Sequence, residues 1–347
     1  MKQLSIAPAR RTTPLFVKQM LGLYFILLVC ALLSFSIGRY ELAPQLILDI
    51  FLAKIGVVNP YWDPAIETVL LEVRLPRILL AILVGGALSV SGTSYQTLFK
   101  NPMVSPGILG VSAGAGFGAA LAMLLNALWW QVQLSALLFG LLAVLMAYLI
   151  AWIFGRQELT VMILGGVIIS SLFGALLSIV KLFADTDNAL PSIVFWLMGS
   201  LGRGSNQDVL VMLPAILLSL LLLFLFRYPI NSLSAGEAEA ASMGTSVNLV
   251  KAVVIFAATL MTVAAVSISG IIGWIGLVVP YIARMLVGAS YPKLLATSFA
   301  IGGLGLLLID DLVRGIPGAE LPLGVMTALI GTPVFVLMLS RVRKGWL

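Results

Sequence analysis

The chain has 347 residues, 61% hydrophobic and 10% charged, with a formal net charge of +6 and a mean hydropathy of +1.13. A soluble domain cannot hide that much apolar surface, so lipid is the solvent for most of this sequence. There is no histidine, and the single cysteine, Cys30, lies in an apolar run. This argues against a disulfide framework, a transition-metal site or His-based acid–base chemistry.

A membrane span needs about 20 mostly apolar residues. Ten segments qualify: 20–38, 76–98, 106–127, 131–154, 160–182, 206–227, 247–269, 273–289, 293–312 and 319–340. The first is preceded by a segment, 1–19, expected on the cytoplasmic side. It lacks a small-x-small cleavage site, so it reads as a retained helix and not as a signal peptide. The eighth is the weakest, because Pro280 and Arg284 interrupt it. Ten spans with the N-terminus inside put 13 Lys and Arg on the cytoplasmic side and 7 on the outer side, the asymmetry expected of that orientation. Both termini and the polar loop 233–244 are then cytoplasmic. The basic excess is an orientation signal and does not point to nucleic acid.

Between the spans, the outer stretch 184–207 contains an apolar run, Ser192 to Leu201. It is too short to cross, which predicts a short re-entrant or interfacial helix. Val90-Ser91-Gly92 followed by Pro102, and Ile268-Ser269-Gly270 followed by Pro280, share one spacing on helices of opposite direction. That is the pattern of an inverted-topology repeat, or of coincidence in a chain rich in Gly and Ser.

The polar residues fall into three groups. Arg74 and Arg77, in Arg74-Leu75-Pro76-Arg77, and Arg314, just after Asp310 and Asp311, stand at expected outer helix ends. Each alone reads as an interfacial arginine, but a cluster of permanent cations on an acidic face suits an acidic partner or an anionic ligand. Asn101-Pro102-Met103 and Ser105-Pro106-Gly107 force a non-helical turn on the inner side, where the short loop Glu158-Leu159-Thr160 is placed to face it. These are tight loops or a constriction. The loop Leu233 to Gly244, with Ser234, Gly236, Glu237, Glu239, Ala240 and Ser242, has residues that favour a short helix between glycines. It is a solvated connection or a docking surface for a cytoplasmic subunit. The glycine pairs Gly85-Gly86, Gly165-Gly166 and Gly302-Gly303 read as helix-packing positions. No phosphate-binding loop is present, so any ATPase driving this protein is another chain.

In order along the chain, RLPR (74–77), GALSVSG (86–92), NPMVSPGILGVSAG (101–114), WLMGSL (196–201), LSAGEAEAASMG (233–244), SGIIGWIGLVVPYIAR (269–284), DDLVR (310–314) and AELPLGVMTALIGTPVF (319–335) resemble the membrane-spanning permeases of type II ABC importers, the FecCD/BtuC-like group. The resemblance implies an all-α, BtuC-like polytopic permease, one transmembrane domain of about ten helices over 1–347, in a bacterial inner membrane. It also implies a second permease subunit, two ATPase subunits that carry the ATP and Mg, and a periplasmic binding protein; this chain needs no cofactor or metal. Carried onto matching positions, Arg74, Arg77 and Arg314 receive the binding protein. Leu233 to Gly244 couples to the ATPase, Asn101, Pro102 and Met103 with Glu158, Leu159 and Thr160 form the inner gate, and the segment of Trp196 and Met198 lines the pathway. The cargo implied is a metal chelate, with iron–siderophore first and haem, cobalamin or molybdate and tungstate as alternatives. One departure is Tyr281, where the family usually has histidine. An ion-driven secondary transporter is the rival reading, disfavoured because the acids fall at helix ends or in loops, Asp310 and Asp311 being the closest exception.

Overall fold

The computed structural model describes residues 14–38, 42–155, 159–316 and 321–342, and among these the regular elements are all helical. In order they are α1 (Pro14–Ser34), α2 (Pro44–Lys54), α3 (Pro64–Thr68), α4 (Leu75–Leu98), α5 (Val111–Leu124), α6 (Trp129–Gly155), α7 (Leu159–Phe183), α8 (Ala189–Leu197), α9 (Asn206–Leu225), α10 (Arg227–Leu233), α11 (Glu237–Ser242), α12 (Val247–Ser269), α13 (Ile275–Val287), α14 (Tyr291–Gly315) and α15 (Leu323–Val342). Among the described residues, seven helical stretches are long and apolar enough to cross a membrane. The shorter apolar helices α5, α13 and α15 fall on the three remaining expected spans. Most of the 1–19 segment and Glu158 lie outside the described residues; α1 already begins at Pro14.

The second expected span is longer than its sequence pattern. Helix runs unbroken from Pro64 to Leu98, with a π-helical turn at Val69–Arg74 joining α3 to α4. Pro76 has no N–H to give to the preceding turn, and a widened turn accommodates that missing bond without breaking the helix. Arg74 and Arg77 therefore project from the body of a helix and not from its end. The short outer helix, expected at 192–201, is α8 at Ala189–Leu197, ended by Gly199 at φ +76°.

The centre of the molecule is α4, buried along nearly its whole length against α12, α13 and α14. Close approach depends on glycine. A Cβ on Gly85 would strike the Gly302 carbonyl, and one on Gly302 would strike Ser89 and the Gly85 carbonyl. Gly165 and Gly166 meet the carbonyls of Ala147 and Ile108 in the same way. Hydroxyls join the helices across these seams, as is usual where lipid supplies no hydrophobic drive between helices. Ser91 meets Thr262 at 2.6 Å, Tyr95 meets Thr259 at 2.7 Å, Thr93 meets Ser298 at 2.7 Å and Ser94 meets Tyr291 at 2.8 Å.

The repeat signal survives as an order of elements and fails as a local match. Both α4 and α12 are long helices followed by a non-helical connector and a short helix. Gly92, however, lies inside α4, whereas Gly270 ends α12 at φ +68°. A Cβ on Gly270 would strike the Trp196 carbonyl, so the glycine serves both the turn and the approach of α8.

Candidate functional site

The helix directions place two polar clusters at opposite ends of the bundle. At one end the C-terminus of α1, the α3–α4 junction and the C-terminus of α14 converge. Asp310, fully buried, accepts from Arg77 Nε at 3.0 Å and Nη2 at 2.9 Å, and pairs with Arg314 Nε at 3.0 Å. Arg314 also pairs with Asp311 and donates to Ser34 Oγ, while Ser34 donates to Asp311. Arg74, 5% exposed, donates to the Phe35 carbonyl. The structure thus brings the three arginines together as the sequence motifs imply, but turns them inward. Arg77 and Arg314 keep 14% and 8% of their side-chain surface exposed.

The turn that follows α8 is tied to two other elements by backbone bonds. Ser200 N–H donates to the Ser269 carbonyl at 2.8 Å, Leu323 N–H to Gly199 at 2.8 Å and Gly324 N–H to Met198 at 3.0 Å. Together α8, the 270–274 connector and α15 enclose an open cavity of about 690 Å³ whose lining includes Met198, Ile271, Trp274, Leu329 and Thr332. The lining is almost wholly apolar and carries no charged side chain. Met198 faces it. Trp196 instead packs between α5, α6 and α12 and borders a separate small cavity with Trp129 and Arg203.

Trp274 had no role assigned from its sequence, yet it is the largest side chain on this wall. Its φ is +65°, a left-handed conformation unusual for a bulky residue. Its ring stands edge-on to Phe335 at 6.0 Å, and a Cβ on Gly331 of α15 would collide with it. The two glycines that precede it in Ser269-Gly270-Ile271-Ile272-Gly273-Trp274 are the only sequence sign of such a break.

At the opposite end lie the 99–110 connector, α10, α11 and the end of α13. The turn is fixed locally: Asn101 Oδ1 accepts from Met103 N–H at 2.9 Å and Lys100 takes φ +49°. Met103 is exposed. Asn101 and Pro102 line a cavity of about 230 Å³ that also receives Ser234 and Arg284. Leu159 borders another cavity, with Tyr148 and Lys251. Thr160, on the same turn of α7, is exposed.

The loop 233–244 forms α11, anchored by buried Leu233 and Ala240. Ser234, Glu237, Glu239, Ser242 and Gly244 are exposed around that anchor. Glu237 pairs with Lys251 at 2.8 Å, Ser242 Oγ donates to the Glu239 carbonyl at 2.8 Å, and Gly244 at φ +81° closes the helix. A Cβ on Gly236 would meet the exposed Glu239 carboxylate, which would have to swing aside. Tyr281, in place of the family's usual histidine, donates to the Met338 carbonyl at 3.4 Å and so touches α15. Among the described residues no group of His, Cys, Asp or Glu is arranged to hold a metal ion.

Comparison with known proteins agrees with this architecture. The model of the FecCD transport family matches residues 26–341. The molybdate import system permease protein MolB of Haemophilus influenzae is 38% identical over 328 residues, covering 94% of this chain and 97% of that protein. The hemin transport system permease protein HmuU of Yersinia pestis is 35% identical over 333 residues, covering 94% and 96%. A solved metal-chelate type ABC transporter, in an inward-facing conformation, superposes with a TM-score of 0.84 at 36% identity and covers 94% of this chain. The chain therefore belongs to the FecCD transport family and is a membrane-spanning permease of the BtuC type.

Proposed function

We propose that this permease forms the pathway of an importer that moves a metal chelate, an iron–siderophore first, from a periplasmic binding protein into a bacterial cytoplasm. It works with a second permease subunit and two ATPase subunits, in the inner membrane, with both termini cytoplasmic. The observation that carries the coupling reading is α11, held to the bundle by Leu233 and Ala240 while its other side chains face outward. A short surface helix anchored on one side transmits a push to α10 and α12 without unfolding. Asn101, Pro102 and Met103, with Glu158, Leu159 and Thr160, are the proposed gate at that end. Arg74, Arg77 and Arg314 are the proposed docking point at the other end, where Arg77 and Arg314 keep part of their side-chain surface exposed. Met198 marks the pathway segment, with the buried Trp196 on the same helix turn.

The apolar cavity beside Met198 supports a chelate as cargo. A chelate wraps its metal in organic surface, whereas a bare dianion entering an uncharged wall forfeits its hydration without replacement. The similarity to MolB along nearly the whole chain favours molybdate as the second reading. Uptake of radiolabelled ferric chelate and of radiolabelled molybdate by cells carrying the permease and its neighbouring subunits separates the two. Uptake of molybdate alone would overturn the chelate reading.

Charge reversal of α11 tests the coupling. Glu237→Arg with Glu239→Arg breaks the Lys251 pair and inverts the helix surface. The expected result is a monodisperse permease whose transport falls at least about tenfold, the scale of a lost interfacial charge pair. Normal uptake by that variant would remove α11 from the coupling path.

A further inference from the structure

The cavity of about 230 Å³ between the 99–110 connector and α13 is not accounted for by the reading above. Its lining includes Gln96, Lys100, Asn101, Pro102, Ser234 and Arg284. Two of these are cations, and among the described residues neither Lys100 nor Arg284 pairs with a carboxylate. Arg284 Nη1 donates to Gln96 Oε1 at 2.8 Å. The Gln96 amide is itself held, donating to the carbonyls of Val104 at 3.2 Å and Leu277 at 3.3 Å. A neutral, immobilised partner therefore fixes the guanidinium in place and leaves its charge uncompensated. Arginine in such a setting presents a planar fork suited to a carboxylate.

The position of the cavity says where that carboxylate comes from. Ser234 lines the cavity and stands three residues before α11, so the recess adjoins the coupling segment along the chain. The two carry opposite charge, Glu237 and Glu239 on the helix and Lys100 and Arg284 in the recess. We propose that the recess is a second docking point for the ATPase subunit, which inserts an acidic side chain between Arg284 and the Asn101–Pro102 turn. The proposal rests on the coupling assignment of α11. It adds a direct contact from the ATPase to the gate turn, and a charge pattern that fixes the register of the interface.

The test places a photo-crosslinking amino acid at Ala289, an exposed residue on the rim of the recess, and separately at Ala238 on α11. The permease is co-expressed with its ATPase subunit and illuminated in proteoliposomes. Both positions are expected to capture the ATPase. Arg284→Gln is expected to reduce capture at Ala289 at least fivefold while leaving capture at Ala238 unchanged. Capture at Ala238 alone, or capture of lipid alone at Ala289, overturns the recess proposal and leaves the coupling reading standing. Capture at Ala289 that Arg284→Gln does not reduce overturns the acid pairing. Capture at neither position overturns the coupling reading and the proposal with it.

Discussion

Replacing Asp310 with alanine is expected to destabilise the permease by about 3–5 kcal/mol, the usual penalty for removing one partner of a buried ion network. Asp310 is fully buried and is the carboxylate shared by Arg77 of α4 and Arg314 of α14. Without it, two guanidiniums lie within one another's field, and only Asp311 remains to offset them. Asp310→Asn keeps the volume and part of the hydrogen bonding, so the loss should be smaller. The double variant Arg77→Gln with Asp310→Asn should recover part of the stability, because Arg314 then keeps Asp311 as its partner. Thermal unfolding in detergent, followed by size-exclusion, measures all three. A melting temperature for Asp310→Ala equal to that of the wild type would show that the cluster does not hold α4 to α14.

Gly92→Ala is expected to cost about 1–3 kcal/mol or more, in the range for overpacking a dense core. The reason involves two residues far apart in sequence. Pro280 lies within α13 and has no N–H, so the Gly276 carbonyl loses its helical partner. That carbonyl sits against Gly92 of α4, where a Cβ would overlap it. The carbonyl belongs to the backbone and cannot turn aside, so the overlap is relieved only by moving α4 away from α13. Gly174→Ala, on α7 with no heavy atom near the added Cβ, is the matched control and should be neutral. Equal stability of the two variants would contradict close packing at this crossing.

Hydropathy alone located the ten apolar segments, seven of them long enough to span among the described residues and three as shorter helices, because a helix in lipid needs an apolar run with few charges. The glycine pairs were legible as packing positions for the same reason, since small residues are what closely crossing membrane helices require. Two features were hidden. The extension of the second span back to Pro64 was obscured by Glu67, Glu72 and Arg74, which resemble loop residues until the π turn and the outer cluster absorb them. The inward direction of the arginines was not visible either. It depends on Asp310 meeting Arg77 across more than two hundred residues, a contact with no local signature.

The candidate site was legible as a set of segments and not as a geometry. Leu233 to Gly244 contained a short helix between glycines, as its composition indicated, and Ala240 proved to be its buried anchor. By contrast, neighbouring positions in Trp196-Leu197-Met198 serve different cavities, because a helical turn points them apart. Trp274 escaped notice because nothing in sequence marks a tryptophan as left-handed; only the flanking glycines hinted that the helix breaks there.

The central claim is that this chain is the pathway of an ATP-driven importer supplied by a binding protein. The direct measurement is ATP hydrolysis by the permease reconstituted in liposomes with its neighbouring ATPase subunit, with and without the cognate binding protein. The account predicts that the binding protein loaded with its metal chelate stimulates hydrolysis and delivers the chelate to the lumen, and that the Glu237→Arg, Glu239→Arg variant does neither. If no ATPase subunit co-purifies, or hydrolysis is indifferent to the loaded binding protein while an ion gradient drives uptake, the account is contradicted.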